Sequence, residues 1–322
     1  MIEIDKKDRE ILFHLSLNGR ASLAQLSKKT KLSKEVIHYR LKNLEKSGVI
    51  EGYYAVVNTY KIGKVFFRVY MKTINMTTKI EKEFVEFLKN YPKVTWIVEV
   101  DGDFDYLYVV WAKDIIEFEG VYKEINDKFG KYIQQKFFSV MTNVYYFKYK
   151  YLVERQDGTF RLTGGQLESP KMDELDLKLL SLLSNQGRMS LVEIASKFNT
   201  NPKLIKTRMK RLEKLEIITC YNVKINNKLL DYTQRKVMLN LNDISSETIK
   251  KMISFLTFHP STIYITIAIG QYDLEFEMME KSHEDFHLLL KELKNKFPGL
   301  IKEYFTVIFY HEPKVGQLSF IE

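Results

Sequence analysis

Cysteine and long apolar runs are what this sequence has least of. Its 322 residues include a single cysteine, Cys220, so no intrachain disulfide can form, and this usage fits a reducing compartment such as the cytoplasm. No uninterrupted apolar stretch approaches the roughly 18–20 residues that a membrane-spanning helix needs. The opening residues, MIEIDKKDRE, are charged from the third position, unlike a secretory signal. These features predict a soluble, cytoplasmic protein with no membrane partner.

Histidine is also scarce, with six in the chain, and two of them lie in the stretch HEDFH, from His283 to His287. This stretch matches H-E-x-x-H, in which two histidines one helical turn apart hold zinc and the glutamate acts as a base. A catalytic zinc normally has three protein ligands, but Leu293 stands where a third histidine would follow. The stretch DGDFD at 101–105 imitates a calcium loop, but its sixth position is Tyr106 rather than glycine. Both motifs are interpreted as coincidences, and the sequence predicts no metal site, no cofactor and no catalytic residue.

The chain contains an internal repeat. IDKKDREILFHLSLNGRASL at 4–23 aligns with MDELDLKLLSLLSNQGRMSL at 172–191, an offset of 168 residues. At the same offset YPKVTWIVEVDGDFD at 91–105 aligns with HPSTIYITIAIGQYD at 259–273. The sequence therefore predicts two copies of one unit of roughly 150 residues each.

The first part of each copy has the pattern of a DNA-binding module. Three short helical segments precede apolar β residues, and the third helix opens at a good N-cap, Ser33 in the first copy and Asn201 in the second. This order describes a winged helix-turn-helix, which lays its last helix in the major groove. Residues 22–47 contain seven Lys or Arg and two Glu, a net charge of +5, and residues 190–215 contain the same numbers. Because the whole chain carries +9, its basic excess lies on these two units, as phosphate binding requires.

The third helix of each unit supplies the residues expected to contact DNA. Val36, Leu41 and Leu44 are expected to face the core, which leaves the other positions free to meet the groove. The predicted DNA-binding residues are Ser33, Lys34, Glu35, His38, Tyr39 and Lys42 in the first copy and Asn201, Lys203, Lys206, Thr207 and Lys210 in the second.

These motifs carry a family resemblance. The patterns LDxxDxxIL, NGRxSLxxL and SxxxVxxRLxxLExxGxI closely resemble the N-terminal part of the Lrp/AsnC family of feast/famine transcriptional regulators. In the second copy Glu216 stands where the family shows glycine, the position of Gly48 in the first copy. Other residues on the family pattern are Asp8, Gly19, Arg20, Ser22 and Arg40, with Asp176, Gly187, Arg188, Ser190 and Arg208 in the second copy.

The second part of each copy alternates strand and helix signals in the order βαββαβ, a ferredoxin-like unit. It matches the C-terminal domain of the family, which pairs into dimers and binds amino acids or similar small effectors. The family's V-x-G-x-[YF]-D hairpin falls on VDGDFD at 100–105 and, more loosely, on AIGQYD at 268–273. The resemblance implies an effector site at Gly102, Asp105, Gly270 and Asp273, where the aspartates would accept an ammonium group. The alternative is that these residues only build the turn.

The predicted fold class is α+β, with two winged helix-turn-helix domains and two ferredoxin-like βαββαβ (RAM/ACT-like) domains in tandem. A linker separates the copies, and its Asp157-Gly158 pair suggests a β-hairpin between residues 151–153 and 159–162. The predicted domains are 1–58 and 172–226 (winged helix-turn-helix), 59–149 and 227–322 (RAM-like), and 150–171 (linker).

The resemblance implies a sequence-specific regulator that binds double-stranded DNA, senses an amino-acid effector, and supplies both halves of the family's dimer from one chain. Such chains are also expected to form homo-oligomers through the RAM-like domains. One alternative is an architectural DNA-binding protein with little sequence preference. Another is a tetrapyrrole decarboxylase, since some of these enzymes resemble the same architecture and carry histidine and arginine around the central hairpin. No His or Arg lies in 94–112 or 262–280, and the chain is therefore predicted not to be an enzyme.

Overall fold

The computed structural model describes residues 2–316 and residue 318. Residue 1 of the first predicted domain and residues 317 and 319–322 of the last lie outside the described residues. The division of the chain into five segments stays a prediction. No helix in the described part is long and apolar enough to cross a membrane.

Each copy opens with three helices and a strand, followed by a βαββαβ unit, as the repeat predicts. The elements of the first copy are α1 (Lys6–Leu15), α2 (Leu23–Thr30), α3 (Lys34–Lys46), β1 (Ile50–Val57), β2 (Val65–Thr73), α4 (Thr78–Asn90), β3 (Val94–Gly102), β4 (Tyr106–Ala112), α5 (Ile115–Phe129), β5 (Ile133–Phe147) and β6 (Phe160–Gly164). Those of the second copy are α6 (Glu174–Leu183), α7 (Leu191–Lys197), α8 (Pro202–Lys214), β7 (Ile218–Ile225), β8 (Thr233–Leu241), α9 (Ser246–Phe258), β9 (Thr262–Gly270), β10 (Leu274–Glu280), α10 (His283–Lys296) and β11 (Ile301–Lys314).

The strands that follow the two helical units pair with each other. β1 and β7 form an antiparallel two-stranded sheet, the wing ribbon, in which Tyr53 faces Val223 and Ala55 faces Tyr221. Each winged unit thus completes its backbone hydrogen bonds with the other copy. The ribbon joins the two units, whose cores lie on either side of it.

Eight of the nine remaining strands form one closed sheet, and β6 adds to it at the end of β5. Each copy contributes four strands, in the orders β5-β2-β4-β3 and β11-β8-β10-β9. The halves join where β3 pairs with β11 and where β9 pairs with β5, so that the ring of eight strands has no open edge. Helices α4, α5, α9 and α10 cover the outside through two apolar clusters, and a third cluster fills part of the interior.

The linker differs from the hairpin predicted around Asp157-Gly158. Residues Lys150–Leu152 form a 3-10 turn instead of a strand. β6 pairs with residues 143–147 at the end of β5, so the chain turns back over a much longer connection. The Asp157-Gly158 pair did not form the predicted two-residue turn. Strand β5 continues past residue 141, where its pairing with β2 ends, and β6 pairs with this free edge instead.

Candidate nucleic-acid interface

The recognition helices α3 and α8 expose the side chains that the sequence selects for DNA contact. All eleven predicted DNA-binding residues, from Ser33 to Lys210, are exposed. The side chain of Ser33 caps α3 by accepting the amide of Val36, and the Asn201 side chain caps α8 by accepting the amide of Leu204 at 2.9 Å. The first turn of each helix therefore carries its expected cap.

The inward face of α3 differs from the prediction at one position. Val36 is 40% exposed, and the adjacent Ile37 is fully buried with Leu41 and Leu44. Side chains on one face of a helix recur every three or four residues. Leu41 is three residues before Leu44, and Ile37 is four residues before Leu41, so counting from the C-terminal end of α3 would have identified Ile37 as the buried residue. Val36 is thereby added to the outward side chains, and an apolar side chain there can contact a thymine methyl group.

Ion pairs attach each recognition helix to the first helix of its unit. The Arg40 guanidinium lies 2.8 Å from Asp5 and 2.9 Å from Asp8. In the second copy Arg208 and Arg211 both contact Asp176, which is fully buried. These paired charges fix the angle of each recognition helix and are not free for DNA.

The lone acidic side chain in the first turn of α3 is Glu35. Its own amide and the Ser33 hydroxyl lower the pKa of the Glu35 carboxyl. It is therefore ionised at neutral pH and can accept a hydrogen bond from cytosine N4. The corresponding residue of α8 is Lys203, which can only donate.

Reciprocal contacts lock the helical units across the wing ribbon. The Arg20 guanidinium donates to the carbonyl oxygens of Gly187 and Met189 at 2.7 and 2.9 Å. Arg188 donates to the carbonyls of Gly19 and Ala21, each at 3.1 Å. Sequence reasoning placed the Gly-Arg pairs on the family pattern without a role. In the structure, they hold each unit against the other.

The ribbon leaves no room for a side chain at the two glycines. A Cβ on Gly19 would lie 2.8 Å from the Asn222 carbonyl oxygen, and one on Gly187 would lie 2.7 Å from the carbonyl carbon of Tyr54. The glycines let the loop before each second helix approach the opposite strand, where their amides donate to Tyr221 and Tyr53.

The predicted effector residues lie at the junctions of the closed sheet. Gly102 and Gly270 adopt positive φ angles of 133° and 138°, and a side chain at either would collide with the backbone of the other copy. The Asp105 carboxylate accepts from Lys72 and from the amide of Thr73, both at 2.7 Å. These partners lower its pKa against the opposing effect of burial.

Asp273 has fewer partners than its counterpart Asp105. One of its oxygens accepts the amide of Leu241 at 2.8 Å. Each aspartate therefore ties the start of the third strand of its βαββαβ unit, β4 or β10, to the first strand of that unit, β2 or β8. This geometry serves the turn, and an effector role for the four residues stays a prediction.

HEDFH lies at the start of α10, and His283 is the first residue of that helix. The Nδ1 atom of His283 lies 3.0 Å from a nitrogen of the Arg235 guanidinium. A cation at this position disfavours a metal ion there. Among residues 2–316 and 318, no group of three or more His, Cys, Asp or Glu side chains is arranged to hold a metal.

Comparisons with known proteins agree with the geometry of the helical units. The winged helix-turn-helix DNA-binding family matches residues 4–51 and 172–219. The proline dehydrogenase transcriptional activator of Rhodobacter capsulatus is 31% identical over 38% of this chain and 79% of its own length. The transcriptional regulator LrpA of Pyrococcus horikoshii is 32% identical over 40% of this chain and 87% of its own. The chain belongs to the Lrp/AsnC family. These relatives each match about one copy, so this Lrp/AsnC protein is a tandem duplication of the family's usual unit.

The prediction that this Lrp/AsnC chain is not an enzyme is wrong. The crystal structure of the siroheme decarboxylase NirDL resembles it over 98% of this chain and 95% of that one, with a TM-score of 0.63 and 12% identity. The likeness shows the fold alone, but an enzyme shares the complete two-copy fold, whereas the regulators match only 38–40% of the chain. The lack of His and Arg in the two hairpins was therefore too narrow a criterion.

A buried cluster of charges inside the sheet of this Lrp/AsnC chain was missed by sequence reasoning. Glu275 of β10 contacts Arg68 and Tyr70 of β2 and the ammonium group of Lys236 of β8, the last at 3.0 Å. Lys236 also lies 2.7 Å from Glu277. Glutamates at alternate positions of the otherwise apolar LEFEMME stretch of β10 were the signal, since such an alternation places them on one face.

Proposed function

We propose that the chain is a sequence-specific DNA-binding regulator in which one polypeptide supplies both halves of the family's dimer. The observation that carries this proposal is the pair of exposed recognition helices, α3 and α8, held on one frame by the wing ribbon. Hydrogen bonds from Arg20 and Arg188, each to backbone carbonyls of the other copy, support a fixed distance and orientation between α3 and α8. A fixed pair of helices suits two half-sites one helical turn or a multiple apart.

The two helices differ in the side chains they expose. α3 offers Glu35, His38 and Tyr39, whereas α8 offers Lys203, Lys206 and Thr207 at the same positions. A homodimer with two identical helices favours a palindrome. Because donors, acceptors and apolar surface differ between α3 and α8, each chain is expected to prefer an asymmetric operator.

In vitro selection of bound DNA tests this expectation. We expect two half-sites of different sequence, and Glu35→Ala should relax the preference in one half-site only, by about tenfold or more if the contact is to a base edge. Lys210→Ala, if the ammonium contacts phosphate, should instead weaken all sequences alike and lower the salt slope by about one. Lys250→Ala, an exposed lysine on α9, is the matched control and should change neither quantity.

Two outcomes would contradict the proposal. A perfect palindrome whose halves respond equally to Glu35→Ala would mean that α3 and α8 do not read separate half-sites. Binding at fixed salt with little difference between selected and random DNA would favour an architectural protein.

Effector sensing and assembly form a finer part of the proposal. An amino acid would bind near Gly102, Asp105, Gly270 and Asp273, and the first site would tolerate a carboxylate less because Asp101 and Asp103 add negative charge. Calorimetry with a panel of amino acids should then give two sites of unequal affinity, and two identical sites or no heat of binding would oppose this.

The chains are also proposed to associate with one another. A strict monomer in sedimentation at micromolar concentration would refute this.

The whole-chain fold favours a second candidate, an enzyme acting on a tetrapyrrole. NirDL has a structure in co-complex with an iron-uroporphyrin III analogue. The cavity between the wing ribbon and the sheet has a volume of about 180 Å³, below the roughly 300–1,000 Å³ of pockets for larger ligands. A tetrapyrrole would therefore need an opening of the sheet or another surface. Titration with iron-uroporphyrin should shift its visible absorption if this candidate holds, and an unchanged spectrum would oppose it.

A further inference from the structure

A cavity lies between the wing ribbon and the closed sheet. Its volume is about 180 Å³, and its walls come from both copies of the repeat. The ribbon contributes Tyr54 and Lys224, and the sheet contributes Trp96 near the start of β3. Trp96 is six residues from Gly102, which is roughly 20 Å along a strand, so the cavity is separate from the hairpins that carry the predicted effector residues.

Aromatic side chains form much of the cavity wall. The hydroxyls of Tyr54 and Tyr264 lie 3.4 Å apart, and the rings of Tyr146 and Tyr264 meet edge to face with their centroids 5.3 Å apart. Tyr149 and Trp96 complete this group. Faces of tyrosine and tryptophan rings attract cations, and they do so more strongly where water is excluded.

The charged groups of the lining are paired, with one exception. Arg68 is neutralised by Glu275, and Lys224 lies 2.9 Å from Glu51 outside the cavity. Glu277 accepts from Lys236 at 2.7 Å.

The exception is Glu312. Its carboxylate accepts the indole N–H of Trp96 at 3.0 Å, and among the described residues no Lys, Arg or His lies within ion-pair distance of it. Glu312 is half-buried, and a carboxylate in such surroundings is costly to ionise when no cation pairs with it. The same carboxylate, surrounded by aromatic rings, provides the counter-ion that an organic cation requires.

We propose that this cavity binds a small organic ammonium ion, with Glu312 as its counter-ion and the rings of Trp96, Tyr146 and Tyr264 around it. The volume suits a molecule of this size, since an engineered cavity of about 150 Å³ holds benzene. Arg68 opposes a cation through its charge, but Glu275 offsets that charge. The site goes beyond the proposed DNA-binding function and does not depend on it.

Calorimetry on the full chain without DNA tests the site with three ligands of matched shape: benzylammonium, benzyl alcohol and benzoate. The measurement is made at pH 8, because burial raises the pKa of Glu312 to about 7 and the carboxylate is then ionised. Benzylammonium should bind about tenfold tighter than benzyl alcohol, as expected for a carboxylate partner together with cation–π contacts. Benzoate should bind least.

The Glu312→Gln variant removes the charge and keeps an oxygen for the Trp96 indole. It should reduce the affinity for benzylammonium about tenfold and leave benzyl alcohol within about twofold. Glu99→Gln, on the same sheet but paired with the exposed His311, is the control and should bind as the parent does.

Several results would overturn the site. Tighter binding of benzoate than of benzylammonium would assign the cavity to anions through Arg68, whose buried Nε has no hydrogen-bond partner among the described residues. No binding of any of the three ligands at millimolar concentration, or equal binding of benzylammonium by the parent and Glu312→Gln, would also refute it. If Glu312→Gln fails to fold, the contrast between the ammonium and the alcohol in the parent chain decides.

Discussion

Replacing Glu275 with glutamine is expected to lower the free energy of unfolding by about 3–5 kcal/mol, the range for breaking a buried ion pair by removing one partner. Glu275 is fully buried, and so is Lys236. Burial by itself would raise the pKa of Glu275, but Arg68 and Lys236 lower it to about 2. The carboxylate is thus ionised at neutral pH, and its loss leaves Arg68 without a counter-ion in the sheet interior.

This substitution also tests how the two copies are held together. Arg68 and Tyr70 belong to the first copy and Glu275 to the second, so the cluster crosses the inside of the ring. Urea denaturation followed by far-ultraviolet circular dichroism measures the loss. Glu303→Gln, at an exposed position of β11, is the control and should change stability by less than about 0.5 kcal/mol. A loss below about 1 kcal/mol for Glu275→Gln would mean that water reaches the cluster and screens it.

Local features of the fold were predictable because they depend on nearby residues. The caps at Ser33 and Asn201 and the helices they begin follow from short-range hydrogen bonds. The repeat offset then gave the same architecture twice. Placing Val36 instead of Ile37 in the core was also a local error, because a helical pattern that is wrong by one residue at one position still looks amphipathic.

Contacts between the copies were beyond sequence reasoning of this kind. Arg20 and Gly187 are 167 positions apart in the chain, and periodicity identifies a buried face without naming what covers it. The pairing of β1 with β7 and the closing of the sheet at β3 and β11 are of this type. The buried charges inside the sheet could not be predicted for the same reason. The alternation of glutamates in β10 places them on one face of the strand, but that face could equally have been exposed to solvent.

The same limit applies to the hairpin residues of the candidate site. The motif singled out Gly102 and Asp105 for an effector, whereas in the structure the glycine allows a close approach of strands from the two copies, and the aspartate accepts hydrogen bonds from Lys72 and Thr73. A motif records which residues are present, while their partners decide the role. The cavity beside Glu312 had no motif at all, since its walls come from distant segments of both copies.

Glu312 should make the stability of the chain depend on pH in a direction unlike that of most carboxylates. Burial raises its pKa to about 7, opposed by the hydrogen bond from Trp96 and by the charge of Lys224 and helped by the charge of Glu277, whereas an unfolded glutamate titrates near about 4.3. The folded chain therefore holds an extra proton between these values. The resulting stability is fully present below about pH 4 and is lost as the pH rises through about 7.

The difference between the parent chain and Glu312→Gln isolates this effect, because it cancels the titration of other groups whose pKa burial lowers, such as Lys150 and the half-buried His259. Both should be almost equally stable at about pH 4, where Glu312 is protonated in the folded state and largely protonated in the unfolded chain. At pH 8.5 the glutamine variant should be the more stable by about 3–4 kcal/mol, since the folded pKa of about 7 lies nearly three units above the unfolded value and each unit corresponds to about 1.4 kcal/mol. Urea unfolding of both proteins at several pH values measures the difference. A constant difference across this range would show that the Glu312 carboxyl titrates as an ordinary solvated group, and a difference of opposite sign would show that a cation stabilises its charge in the folded chain.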